Sequence, residues 1–257
     1  YLYAALGTVS GTSISFGTTA TIESSSVEAE GNYACYDSTN ERVAVCYRRS
    51  SMGRCRVLNP QSDGSIGIGS EANFSSVNIT DKLGVAFNST EGRVMVAYAQ
   101  DGSGEPGKFA LGTISGGNLD DITFTQSNSY EGGGVQYVAL TYDTSKNAAV
   151  ILYSMDSSNS YKLRCAAGTI TGDSTSWGSS QNVISSASAT NEYPGIGYDE
   201  SQNVPVIVYE DRTDNNYGKA RVLTLSTDTP PAITLNTAVL ISGNQTFANS
   251  NNKSLIY

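Results

Sequence analysis

One stretch of this chain occurs four times in a fixed register. It reads ACYDSTNERVAVCYRR up to Arg49, then VAFNSTEGRVMVAYAQ, LTYDTSKNAAVILYSM and IGYDESQNVPVIVYED. The aromatic before the turn falls at Tyr36, Phe87, Tyr142 and Tyr198, with spacings of 51, 55 and 56. The tyrosine that closes the following strand falls at Tyr47, Tyr98, Tyr153 and Tyr209, with the same spacings. Two independent markers in one register define a repeat of about fifty residues, a period that points to stacked or radial repeat architectures.

Each first half is followed by a second half: RCRVLNP…SIGIG, KFALGTISG…DITF, LRCAAGTITG…STSWG and ARVLTLS…AITL. A fifth second half, YAALGTVSGTSISFG, stands at the amino end with no first half before it. The anchors of these last strands are Phe16, Ile68, Phe124, Trp177 and Leu235. The missing first half is sought at the carboxyl end, where QTFANSNNKSLIY places Phe247 and Tyr257 at the marker positions. The segments are rich in Val, Ile, Tyr and Thr and break at Gly, Asn, Asp and Ser, so each reads as a short strand. In the first complete unit, strands are expected at about 32–37, 42–48, 54–59 and 64–69.

Four antiparallel strands per unit at this period predict an all-β chain, a five-bladed β-propeller forming a single domain over 1–257. The blades are expected at 32–70, 83–126, 137–180 and 193–237, with a composite blade made of 3–20 and 244–257. That composite blade closes the ring within one chain. The alternative is pairing of the same half-blades between molecules, which gives a head-to-tail polymer by strand exchange.

The pattern is carried by Tyr142-Asp143, the run from Val150 to Tyr153, Gly168-Thr169 and Trp177-Gly178. It resembles propeller repeats in surface and tail-fibre-like proteins of marine viruses, bacteria and algae. The resemblance covers nearly the whole chain and implies architecture; function has to be argued from sites. Gly7-Thr8, Gly112-Thr113 and Gly168-Thr169 are read as strand-end packing and turn chemistry.

Histidine is absent from all 257 residues. That removes Ser-His-Asp and Cys-His nucleophile arrangements and the usual imidazole metal sites. The net charge of −9 argues against nucleic acid, whose phosphates need Lys and Arg. No apolar run reaches the roughly 18 residues of a membrane span. The chain starts without methionine or a signal-type stretch, which predicts a processed or excised piece of something longer. Of the four cysteines, Cys35, Cys46, Cys55 and Cys165, the pair Cys46 and Cys55 faces across a strand turn and is the expected bridge. The competing reading makes all four small buried hydrophobes. Sequons stand at Asn73, Asn78, Asn88, Asn244 and Asn252, no more than the composition supplies by chance.

The loops between second and third strands are YRRSSMGRC, YAQDGSGEPGKF, YSMDSSNSYKL and YEDRTDNNYGKA. They bring Arg48, Arg49, Asp101, Glu105, Asp156, Tyr161, Asp211, Asp214, Asn216 and Tyr217 to one side. Planar polar groups beside tyrosines suit a sugar, whose hydroxyls take paired hydrogen bonds and whose apolar face lies on a ring. Residue by residue, the same side chains are also ordinary turn formers. The expected role is a non-catalytic, extracellular or virion-surface module that binds a glycan or cell-surface polysaccharide, without cofactor or membrane insertion. One alternative is a structural subunit of an appendage that self-associates. Another is a glycosidase with axial carboxylates drawn from Glu28, Glu30, Asp81, Glu131 and Glu192. The run from Glu210 to Asn216 has oxygen ligands but not the spacing of a calcium loop.

Overall fold

The computed structural model describes residues 1–28, 33–114, 121–126, 128–187, 191–192 and 194–242, and leaves the side chains of Asp81 and Gln126 undescribed. Glu30 and the expected closing strands within 244–257, with sequons Asn244 and Asn252, lie outside the described residues. The described chain is all-β, with one short 3-10 turn at Ser157–Asn159.

The amino end forms β1 (Leu2–Ala4), β2 (Gly7–Ser10), β3 (Ser13–Phe16) and β4 (Ala20–Glu23). The first complete sheet holds β5 (Tyr33–Asp37), β6 (Arg42–Arg49), β7 (Met52–Pro60) and β8 (Ile66–Ile68). Next come β9 (Ala72–Asn88), β10 (Arg93–Gln100), β11 (Gly107–Ile114) and β12 (Ile122–Gln126). The third sheet has β13 (Val135–Asp143), β14 (Ala148–Met155), β15 (Leu163–Thr171), β16 (Ser174–Trp177) and β17 (Gln181–Ile184). The fourth has β18 (Gly195–Asp199), β19 (Val204–Asp211), β20 (Tyr217–Leu225), β21 (Ile233–Leu235) and β22 (Val239–Ser242). Strands pair antiparallel with their sequence neighbours, as in the order β13-β14-β15-β16.

The outermost strand of a unit is broken in two, a feature absent from the expected boundaries. One half of β15 pairs with β16 and the other half with β17. The same split gives β20 with β21 and β22, and β7 with β8 and the start of β9. In the amino-terminal half-sheet β2 pairs with β3 and β1 with β4. The break falls just after the anchor residue, at Gly17, Gly69, Gly178 and Asn236. There the backbone N–H donates to Leu6, Val57, Ala167 and Val222 respectively, so the ladder stays satisfied through the kink. Because β9 continues from the edge of one sheet into the inner strand of the next, the first two complete sheets are hydrogen-bonded together.

Apolar packing lies between sheets, in four clusters that follow chain order. The half-sheet meets the first sheet through Ile22, Val45, Tyr47 and Leu58. The first meets the second through Val57, Phe74, Leu83 and Val96. The second and third join through Met95, Phe109, Leu140 and Ile151, and the third and fourth through Val150, Leu152, Ile207 and Leu223. In β14 every residue is buried. Its alternate residues Ala149, Ile151 and Tyr153 face one neighbour, and Ala148, Val150 and Leu152 the other. Each Val, Leu or Ile so enclosed contributes about 1.5–3 kcal/mol.

The glycines of the Gly-Thr repeat act as seats. Gly7, Gly112 and Gly168 stand directly across the ladder from Phe16, Phe124 and Trp177. A Cβ on Gly168 would lie 2.6 Å from Trp177 Cε3, and one on Gly112 would lie 2.7 Å from the Phe124 ring. Where the anchor is aliphatic, Ile68 or Leu235, the facing residue is Leu58 or Leu223. Ring size on one strand thus sets side-chain size on the other.

The inner strands β5, β9, β13 and β18 converge on a cavity of about 640 Å³, near the turns that lead into the second strands. Tyrosines there lock the third and fourth units each to the preceding one. Tyr142 hydroxyl is 2.5 Å from Thr90 Oγ1, and Ser145 N–H donates to Tyr198 hydroxyl at 3.2 Å. Replacing Gly168 by Ala is expected to displace the single tryptophan, Trp177. The loss should be about 1–3 kcal/mol in urea unfolding, with a change in native tryptophan emission. Unchanged stability and emission would contradict the seat.

Candidate functional site

The loops between second and third strands share a backbone feature that sequence reading missed. Consecutive residues at their tips sit at positive φ without being glycine: Ser50-Ser51, Ser160-Tyr161 and Asn215-Asn216. In the second sheet Gly104 and Glu105 take that place, at φ 83° and 39°. Asn tolerates this region, whereas for Ser, Glu and above all Tyr it is strained. The residue-type signal was present only for Asn215-Asn216, a pair with a known turn preference.

These loops are tied to the connections that run toward the next sheet. Ile79 N–H donates to Ser51 carbonyl at 2.8 Å, and Val135 N–H to Glu105 carbonyl at 3.0 Å. Ala187 N–H donates to Ser160 carbonyl at 3.0 Å, and Asn191 Nδ2 to Tyr161 carbonyl at 3.1 Å. Asp101 and Asp156 receive the next link, their N–H groups donating to Asn78 and Gly134 carbonyls. The predicted site residues stand at the ends of β6, β10, β14 and β19, in the loops that follow them and, for Tyr217, at the start of β20.

Their side chains are not equally open. Arg49 is held between Glu23 (2.7 Å) and Glu71 (2.6 Å), and Glu71 also accepts from Tyr47 hydroxyl at 2.8 Å. This network, with Arg56 3.8 Å from Glu23, joins the half-sheet to the first sheet and occupies Arg49. Arg48 lies 3.7 Å from Glu28. Asp156 caps the 3-10 turn, accepting from Ser158 Oγ at 2.7 Å and Asn159 N–H at 3.2 Å. Asp211 accepts from Thr213 N–H at 3.0 Å and Lys219 Nζ at 2.9 Å. Asp101 is exposed, and Tyr161, Asn216 and Tyr217 are half-buried.

Burial raises the pKa of Asp156, but hydrogen bonds from Ser158 and Asn159 outweigh it and hold the carboxyl below the usual value. The same balance, with Thr213 and Lys219 as donors, lowers Asp211. Glu105 moves the other way, raised by burial and by the charges of Asp156 and Asp101.

The glycosidase carboxylates are placed differently. Glu131 accepts from Tyr153 hydroxyl at 2.8 Å and pairs with Arg164. Glu28 faces Arg48, and Glu192 is half-buried. Among the described residues no group of three or more Cys, Asp or Glu side chains is placed to hold a metal ion. No described helix is long and apolar enough to cross a membrane.

Cys46 and Cys55 face each other directly across β6 and β7, with Sγ atoms 2.9 Å apart, and both are free thiols. Burial pushes the Cys35 and Cys46 thiols well up and Cys165 up to about 12, which leaves little thiolate for nucleophilic chemistry at neutral pH. Sequons Asn73 and Asn78 are exposed on β9. Asn88 is fully buried, and its Oδ1 accepts from Thr90 and Glu91 N–H groups, so it is committed to its turn.

No protein-family model matches the chain, and no curated protein matches it.

A carboxyl with a depressed folded pKa stabilises above its unfolded value and loses that contribution as pH falls through the folded one. Asp211→Asn is therefore expected to destabilise the chain at pH 7. The gap to the unsubstituted chain should narrow as pH drops below the ordinary aspartate value of 3.8. Urea unfolding across pH 7 to about pH 2 reads this; a gap independent of pH would contradict it.

Proposed function

We propose that this chain is a five-bladed β-propeller closed by a composite blade, the half-sheet β1–β4 completed by residues 244–257. We further propose that it is a non-catalytic carbohydrate-binding module of an extracellular or virion surface. Two unmatched positions support the ring. Tyr36 is 55% exposed, while its equivalents Tyr142 and Tyr198 are buried against the preceding unit. Phe16 is 72% exposed, while Trp177 packs on Phe109 and Phe124 on Phe74 of the preceding unit. A fifth unit between the fourth and first sheets supplies a partner for Tyr36, and closing the ring brings Phe16, which belongs to that unit, against the fourth sheet. QTFANSNNKSLIY has the aromatic and turn residues for its inner hairpin.

The observation that carries the binding reading is the left-handed backbone at Tyr161, φ 50°. A bulky residue there costs roughly 1–2 kcal/mol, which glycine would avoid. Strain kept at a surface loop beside Asp156 points to a role for the side chain itself. In the fourth sheet the left-handed positions are Asn215 and Asn216, with Tyr217 next along the chain. Rings beside planar polar groups match a sugar's apolar face and hydroxyls, and several weak sites on one rigid body gain from avidity. The acidic repeat and its resemblance to surface proteins support the location.

A second reading has its own support: Val9, Ile14 and Phe16 on the β2–β3 hairpin are all exposed, which suits strand exchange between copies in an appendage. A glycan-array screen, run beside size measurements at several concentrations, separates the two. The expected result is a monomer that binds glycan. Tyr161→Gly is expected to weaken that binding while raising stability by about 1 kcal/mol. Concentration-dependent polymers without glycan binding would replace this reading with the structural one.

A further inference from the structure

We propose that the cavity between the four inner strands is a second ligand site, on the face opposite the loops, and that it takes a short neutral saccharide. It rests on the glycan reading only for the ligand's chemical class. Its location and lining are separate from the loop face.

Apolar side chains stand at matching places on β5, β9, β13 and β18, namely Ala34, Val85, Leu140 and Ile196, each two residues before its marker aromatic. The cavity's rim is polar, and the rim groups also recur by position. Two residues beyond each marker aromatic stand Ser38, Ser89, Thr144 and, in the fourth unit, Glu200. All four are exposed.

The intervening residue at each turn is already used. Asp37 accepts from Thr39 and Asn40 N–H groups, and Asp143 from Lys146 N–H. Asn88 and Asp199 do the same in their turns. Turn formation thus consumes the Asp and Asn oxygens, and leaves the next side chain pointing free of the turn's own hydrogen bonds.

The cavity's open surface is more polar than apolar, which suits a hydroxylated ligand, and about 640 Å³ lies within the usual size range of a small-molecule site. The hydroxyls both donate and accept, and the Glu200 carboxylate offers two acceptor oxygens to neighbouring sugar hydroxyls. The C–H face of a pyranose has a small apolar patch, Ala34 and Val85, to lie against. No Lys or Arg is among the described lining residues, and Asp37, Asp143 and Asp199 sit just behind the rim. Carboxylated and sulfated sugars are therefore disfavoured by charge.

The test is NMR titration of the isotope-labelled full chain with D-glucose, cellobiose and D-glucuronate, for the unsubstituted chain and for Glu200→Gln, Ser89→Ala/Thr144→Val and Tyr161→Ala. Expected are shift changes at Ser38, Ser89, Thr144 and Glu200 with a neutral sugar and none with glucuronate. Glu200→Gln should weaken that binding about tenfold, the usual weight of one charge-assisted hydrogen bond, and Tyr161→Ala should leave it unchanged. Neutral-sugar shifts confined to residues 156–161 and 211–217, and lost in Tyr161→Ala, would overturn the cavity site and leave the loop-face reading standing. Glucuronate binding in the cavity would overturn the charge argument and with it the proposal. No binding of any of the three sugars at either face would overturn the cavity site, and the glycan-array screen would then decide the loop face alone.

Discussion

The second strand of each unit is apolar on both faces, and that constraint governs the rest. β14 has no exposed residue, and the central residues of β6, β10 and β19 are nearly as enclosed. A lone four-stranded sheet built on such a strand would leave one whole face in water. The sheets must therefore stack face to face, and each of the first three complete sheets shares its two faces between the units before and after it. The order of the four clusters along the chain follows directly. So does the position of the tyrosines at 47, 98, 153 and 209, whose rings are buried while hydroxyls such as Tyr47, Tyr153 and Tyr209 reach charged partners at the sheet ends.

Stacking of this kind separates two polar systems. At one end of the strands, charges are absorbed in junctions: Arg49 with Glu23 and Glu71, Arg164 with Glu131, Lys219 with Asp211 and Asp214. At the other end, Asp and Asn side chains are absorbed in turns. What stays available differs accordingly. On the loop face it is a few side chains held out by left-handed backbone, and at the cavity it is the residues that the turn chemistry passes over. A site in this protein is defined as much by which polar groups are already engaged as by which are present.

Much of this was legible in the residues, and the exceptions are specific. The strands expected at 32–37, 42–48, 54–59 and 64–69 match β5 to β8 within a few residues, because alternation and turn residues are local signals. The facing of Cys46 and Cys55 followed from the same register. The second segment of the outer strand was missed because ATIE, QNVI and VLIS are too short to stand out, and only pairing with β1, β15 and β20 makes them strands. Arg49 looked available because its partners Glu23 and Glu71 are remote in sequence. Asn88 looked like a sequon, but the turn holds its amide.

The sequence by itself determined the repeat, its strands and the turns between them, since each depends on residues close in the chain. Only the tertiary structure decided which charged and polar side chains are engaged, where the inner strands leave a cavity and which loop residues are forced to positive φ. Those outcomes depend on contacts between successive sheets, where groups some 20 to 50 residues apart meet, and no local pattern encodes which of two exposed-looking side chains will find a partner there.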